Sequence, residues 1–227
     1  MRFRSLLVGV VCAFCAWSQP VISTYAGANH LFTDDGRPAT SLFLSKLAAV
    51  TVDPNGNPVI PVPQRNVVLR INADGTVTRL AGTGNPGISP EGTPALNSTL
   101  NDPRSAAYDS AGNLYVADAD SNRIIKVAPN GTMTTFAGNG QSGYSGDAGA
   151  ASNASLYFPG SIAIDAQGTV YFVDQGSSLI RRVTRDGTIS TFAGGGSQPF
   201  ASNILAMWLY RPVPRLLPCA CQPTPRA

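Results

Sequence analysis

The sequence has one histidine, His30, and one glutamate, Glu91. A zinc centre that needs several imidazoles cannot be assembled from it, and a Ser/His/Asp relay has a single imidazole to draw on. Charge is scarce as well, at 13% of 227 residues. The formal net charge of +3 misleads, because Arg2, Arg4, Arg211, Arg215 and Arg226 all lie near the two ends. Between Gln19 and Phe200, 11 Lys/Arg stand against 13 Asp/Glu, a net of −2. No broad basic face can form there, which argues against a nucleic-acid partner. Of the four cysteines, Cys12 and Cys15 fall in an apolar leader, while Cys219 and Cys221 could close only a tight, strained ring. None is assigned a redox or metal role. A lipid-modified Cys would need a small residue before it, and Val11 and Phe14 are not small. No run is long and apolar enough for a comfortable span of about 20 residues.

Glycine and proline are abundant, with 23 and 18 copies. Few charges, many turn formers and short β-rich runs predict an all-β protein. At the N-terminus, MRFR is followed by the apolar SLLVGVVCAFCAW and then Ala16-Trp17-Ser18. That pattern predicts a secretory signal over residues 1–18, cleaved after Ser18, with an uncleaved anchor as the alternative. The expected location is secreted, periplasmic or extracellular.

The rest of the chain repeats. The AG dipeptides end at Gly27, Gly82, Gly138 and Gly194, spaced 55, 56 and 56. D-x-x-G turns start at Asp53, Asp109 and Asp165, again 56 apart. The segments VLRI, IIKV and LIRRV and the turns ADGT, PNGT and RDGT keep the same phase. L-x-x-P opens units at Leu100 and Leu156, where the first unit has Leu44-Ser-Lys-Leu47. Within one unit the grammar is four strands: SAAYD (105–109), NLYVAD (113–118), RIIKVAP (123–129) and TMTTFAG (132–138). Asn130-Gly131 suits a tight hairpin with positive φ. About 20 polar, Gly-rich residues then lead to the next unit. Four-stranded antiparallel units at a fixed period predict a β-propeller, each small sheet burying both faces against its neighbours. The expected blades are 28–82, 83–138 and 139–194, preceded by a lone fourth strand at 22–27, within an arc over 19–200.

With these residues in view, positions 22–194 resemble NHL repeats, especially the extracellular bacterial form and the related repeats of teneurins. The resemblance rests on D-x-x-GNLYVAD (109–118), SNRIIKV (121–127), TTFAGNG (134–140) and the connector GYSGDAGAASNASLYFP (143–159). The first unit is the most degenerate, with VIPVPQRN (59–66) where the others have YVAD and YFVD. The resemblance implies a six-bladed type of ring, of which about three blades are present. After Gly194 only SNILAMWLYRP (202–212) echoes the pattern, and five Pro in 212–227 cannot support a sheet ladder. Residues 201–227 therefore read as an aberrant Pro-rich tail. Two explanations stand: a truncated or frameshifted reading frame, or self-association that closes the ring.

Asp118 and Asp174 end second strands, and Asn122 and Ser178 follow four residues later. In a propeller the turn after the second strand and the long connector open on one face. That puts Asp118, Asn122, Arg123, Asp174 and Ser178 on a shared rim with Gln141, Tyr144 and Asp147. Such a rim could bind a protein or a carbohydrate. Equally, Asp118 and Asn122 suit hydrogen bonds to their own turn, and Arg123 and Arg181 suit blade-to-blade ion pairs or carbonyl contacts.

Some six-bladed relatives are metal-dependent hydrolases or lyases. An amidating-lyase-like zinc site needs several His, and a lactonase-like calcium site needs Glu, Asp and Asn converging on the channel. The first strands read SAAY and SIAI, apolar and small, and most Asp sit in turns. The Gly-rich runs precede loops, not helices, so no phosphate cradle is expected. The reading is a non-enzymatic binding or scaffold module with no cofactor and no metal. The alternatives are a hydrolase or lyase fragment lacking its catalytic blades, or a non-functional truncated product. Asn97, Asn130 and Asn153 match the glycosylation sequon. Translating the downstream DNA in the other two frames is expected to reveal further D-x-x-GN and AG units, and their absence would count against truncation.

Overall fold

The computed structural model describes residues 34–44 and 47–195. The signal (1–18), the lone strand (22–27), the tail (201–227), His30 and all four cysteines lie outside the described residues. Twelve strands form three sheets there, and no α-helix is present among the described residues. Sheet one holds β1 (Thr51–Val52), β2 (Pro58–Val62), β3 (Val67–Ile71) and β4 (Val77–Ala81). Sheet two holds β5 (Pro103–Tyr108), β6 (Leu114–Asp118), β7 (Arg123–Val127) and β8 (Met133–Ala137). Sheet three holds β9 (Pro159–Ile164), β10 (Val170–Asp174), β11 (Leu179–Val183) and β12 (Ile189–Gly194). Strand order follows the chain in all three, and each neighbouring pair is antiparallel. These are the blades of a β-propeller. β5 and β9 begin at the Pro of L-x-x-P, two residues before the SAAY and SIAI runs.

The turns explain where the strands stop. After β5, Asp109 Oδ1 accepts the backbone N–H groups of Ala111 and Asn113, both at 2.9 Å. Asp53 and Asp165 do the same after β1 and β9. A carboxylate that satisfies two turn amides closes a hairpin without help from the rest of the fold. Burial pushes the Asp109 carboxyl up, but the bonds from Asn113, Tyr115 and Ala111 outweigh it and hold it below the usual carboxylate range.

Between the second and third strands of each blade the chain makes a short turn ended by a left-handed residue: Asn66 (φ 50°), Asn122 (φ 51°) and Ser178 (φ 56°). Asn tolerates that conformation better than most side chains. The carbonyl of this residue presses on the Gly that ends the fourth strand. A Cβ on Gly138 would collide with Asn122 O, one on Gly82 with Asn66 O, and one on Gly194 with Ser178 O. The recurrent AG is thus a packing requirement, with φ of 89–94° added.

Blades pack through two apolar clusters. Between sheets one and two lie Val59, Val68 and Ala81 against Leu114, Val116, Ile125, Val127 and Met133. Between sheets two and three lie Tyr115, Ala117, Ile124 and Ala137 against Val170, Phe172, Val183 and Ile189. Sheet two is buried on both faces, so β6 is buried at all five positions. The innermost strands line one groove formed by 49–52, 105–108 and 161–164, and Ser105 Oγ accepts the Ile162 N–H across it at 3.0 Å.

Gly138→Ala is expected to cost about 3 kcal/mol or more, from overlap plus positive φ. Gly131→Ala, which has φ 83° but open space around it, should cost only about 1 kcal/mol. Urea denaturation of the two variants checks the difference.

Candidate functional site

The candidate residues fall into three groups. Asp118 and Arg123 face each other across β6 and β7, both buried. Arg123 Nε donates to Asp118 Oδ2 at 2.9 Å, and the Asn101 N–H donates to Asp118 Oδ1 at 2.5 Å. Burial raises the Asp118 carboxyl, opposed by the Arg123 charge and the Asn101 bond. Asp118 is fully buried, and Arg123, though nearly so, forms part of the wall of a cleft lined also by Glu91, Thr135, Gly138 and Ser152. The ion pair also lies within one blade, so Arg123 is not the blade-to-blade partner its position suggested.

The same cross-strand position carries Val62 opposite Val67 in blade one and Asp174 opposite Leu179 in blade three. In blade three the cation comes instead from Arg181, two residues further along β11. Arg181 Nη1 lies 3.7 Å from Asp174 Oδ2, and both residues are fully buried. The Tyr157 N–H donates to Asp174 Oδ1 at 2.7 Å. Burial again raises the carboxyl, partly offset by the Tyr157 bond and Arg181.

Arg181 also reaches the connector. Its Nη2 donates to Asp147 Oδ1 at 2.7 Å and to Ser145 O at 3.0 Å, and its guanidinium lies 4.9 Å from the centre of the Tyr144 ring. Tyr144 OH donates to Asp147 Oδ2 at 3.1 Å. Burial favours the neutral Asp147 acid, but bonds from Thr191, the Arg181 charge and Tyr144 prevail and lower it. One chain of contacts therefore links Asp174, Arg181, Asp147 and Tyr144.

The connector does not stay on the rim. Its middle runs down the outer strand of the next blade: the Ala148 N–H donates to Ile189 O at 2.8 Å and the Ile189 N–H to Gly149 O at 3.0 Å. Tyr144 and Asp147 thus lie along the outer edge of blade three, beside Thr191, whose N–H donates to Asp147 Oδ2 at 3.1 Å. The shared-rim expectation needs correcting for these two residues. Gln141 and Ser178 are exposed near the turn after the second strand. Asn122 is engaged: its Oδ1 accepts the Phe158 N–H of the next blade at 3.0 Å, as Asn66 Oδ1 accepts Asp102 N–H at 3.1 Å.

Two features escaped the sequence reading. Asp35, Glu91 and Asp147 are 56 residues apart and repeat one contact, each accepting the backbone N–H of Arg79, Thr135 or Thr191 on an outer strand. These strands bulge beside that residue, leaving an N–H out of the ladder for the carboxylate. The signal was present as a period-56 acid. Tyr157, half-exposed beside Gly176 at the rim, was the other; it occupies the position of Asn101 in the preceding unit. Among the described residues no three His, Cys, Asp or Glu side chains are grouped so as to hold a metal ion.

The buried pair is incompletely satisfied, since Arg123 Nη2 has no hydrogen-bond partner. Asp118→Val or Arg123→Val alone should cost about 3–5 kcal/mol by stranding the other charge. The double variant, which copies Val62 and Val67, should recover to within about 2 kcal/mol of the wild type. Chemical denaturation of the four proteins measures the coupling.

Comparison with known proteins agrees with this geometry. A model of the teneurin NHL domain matches residues 139–204, and a model of the NHL repeat matches residues 100–126. Human teneurin-1 is 30% identical over 191 residues, 73% of this chain, and zebrafish teneurin-3 is 40% identical over 96 residues, 37% of this chain. The chain spans only 7% and 4% of those two proteins. An auxiliary nutrient binding protein from Bacteroides thetaiotaomicron superposes with a TM-score of 0.50 at 22% identity, covering 63% of this chain and 36% of its own, a likeness of fold alone. The period-56 register, the four-stranded blades and both family models converge, and the chain belongs to the NHL-repeat β-propeller family, related to teneurins.

Proposed function

We propose that this chain is a secreted, non-enzymatic binding or scaffold module that engages a protein or carbohydrate through its connector and rim. One observation carries the reading. The charged and amide groups of the repeat are spent on the fold, as with Asp118, Arg123, Asp174 and Asn122, whereas Gln141, Tyr144 and Tyr157 on one connector remain exposed. Tyrosines with an apolar ring and a polar tip are suited to ligand contact. Tyr144 is held in place by Asp147 and Arg181, which lowers the entropy lost when a ligand orders it.

Secretion is supported by the basic start and apolar stretch of residues 1–18. Expression in a secreting bacterial host should yield a mature N-terminus at Gln19, while retention of Met1 in the cytosol would contradict it. Calcium or zinc should leave the melting temperature unchanged. A specific rise of several degrees would favour the hydrolase or lyase alternative. On a glycan array, the secreted chain is expected to select a small set of sugars. Tyr157→Ser and Tyr144→Ser should weaken that binding about tenfold or more while preserving the fold. Binding unchanged in both variants would place the ligand elsewhere.

A further inference from the structure

We propose that the cleft at the outer edge of blade two is a subsite for a neutral sugar, whose hydroxyls donate to Glu91 and accept from Arg123. The proposal rests on the reading of this chain as a sugar-binding module and adds a second site on the same connector.

The argument starts from what fills the same place in the other blades. In blade one, Arg79 on β4 donates from Nη1 to Gly82 O and, at 2.7 Å, to Leu96 O. It thereby bridges the end of the outer strand to the connector that leaves it. In blade three, Arg181 on β11 donates to Ser145 O and Asp147 Oδ1 and packs against the Tyr144 ring. The 56-residue period sets Thr135 and Ile125 at these two positions in blade two. Blade two has a guanidinium at neither, and a cleft of about 670 Å³ is open there. That size suits a small ligand. Pro90 and Glu91 on one connector, Arg123 and Thr135 on the sheet, and Asn139 and Ser152 on the next connector line it.

The walls call for a donor and an acceptor together. Arg123 is 3% exposed and anchored through Nε to Asp118, while its Nη2 has no hydrogen-bond partner. A buried N–H left unmade is costly and favours an acceptor that enters the cleft. Glu91 accepts the Thr135 N–H and hydroxyl, which leaves each carboxylate oxygen room for a further donor. Arg123 pairs with Asp118, not with Glu91, whereas Arg181 pairs with Asp147, the equivalent of Glu91 in blade three.

Charge sets the ligand class. Asp118 already neutralises Arg123, so the Glu91 charge dominates the cleft and repels a carboxylate. An ammonium group would answer Glu91 but has no acceptor for Arg123. A hydroxyl is donor and acceptor at once and carries no charge. A sugar ring presents several, and its C–H faces suit the exposed Ile88 beside them.

The test is an amide NMR titration of the full chain with methyl glucoside, methyl galactoside and N-acetylglucosamine, each to ~50 mM, and with glucuronate as the charged counterpart. At least one neutral sugar should shift the Thr135, Gly138, Gly140 and Ser152 amides, with glucuronate binding about tenfold more weakly. Thr135→Arg copies blade one, so it should keep the fold by circular dichroism, close the cleft and weaken binding about tenfold or more. Glu91→Gln should weaken the neutral sugar and remove the discrimination against glucuronate, a change that a merely structural Glu91 would not produce. Cleft amides that stay still with all three neutral sugars overturn the proposal, as does binding that survives Thr135→Arg. Shifts confined to Tyr144 and Tyr157 overturn this subsite and leave the tyrosine reading standing. Shifts at the cleft with none at the two tyrosines uphold the subsite and count against that reading, and no shift at either place overturns both.

Discussion

The arc depends on one left-handed residue per blade. Asn66, Asn122 and Ser178 turn the chain between the second and third strands at φ of 50–56°. The carbonyl of each requires a glycine where the fourth strand ends, and the Asn side chains take an amide of the next blade. A single turn therefore fixes both the closure of its own sheet and the placement of the neighbouring one. The apolar clusters supply most of the burial energy, but they are not directional. The Asn contact supplies the direction, and the period of 56 follows from repeating it.

The acids show how a propeller spends polar groups. Asp53, Asp109 and Asp165 satisfy hairpin amides. Asp35, Glu91 and Asp147 satisfy an outer-strand amide freed by a bulge. Asp118 and Asp174 satisfy the incoming connector at Asn101 and Tyr157. Blade one does without the last of these, replacing the buried Asp–Arg pair with Val62 and Val67. A buried pair and an apolar pair can fill the same place because the cost of desolvating two charges nearly cancels their attraction. By contrast, Gln141, Tyr144 and Tyr157 stay exposed on the connector surface.

Much of this was legible in the sequence. The D-x-x-G turns, the N-G hairpin and the AG endings each report a local backbone need, so their spacing laid out the three sheets with ends off by one or two residues. The rest depends on partners distant in the chain. Arg123 and Arg181 look alike in the sequence but sit two residues out of register, so they meet their aspartates from different positions. Nothing local in the sequence says that residues 146–150 pair with the outer strand of the following blade, so Tyr144 and Asp147 read there as rim residues. The carboxylates at 35, 91 and 147 were hidden by their setting in variable connectors and by the change from Asp to Glu.

Native-state hydrogen exchange tests the central claim, that the Asn contact makes the blades one cooperative unit. The Phe158 amide, bonded to Asn122 Oδ1, should exchange with the same free energy of opening as the β6–β7 ladder amides of Val116 and Ile125. In Asn122→Ala all three should lose protection together. A Phe158 amide that exchanges freely while Val116 and Ile125 stay protected would mean that each blade stands alone, and the account would fail.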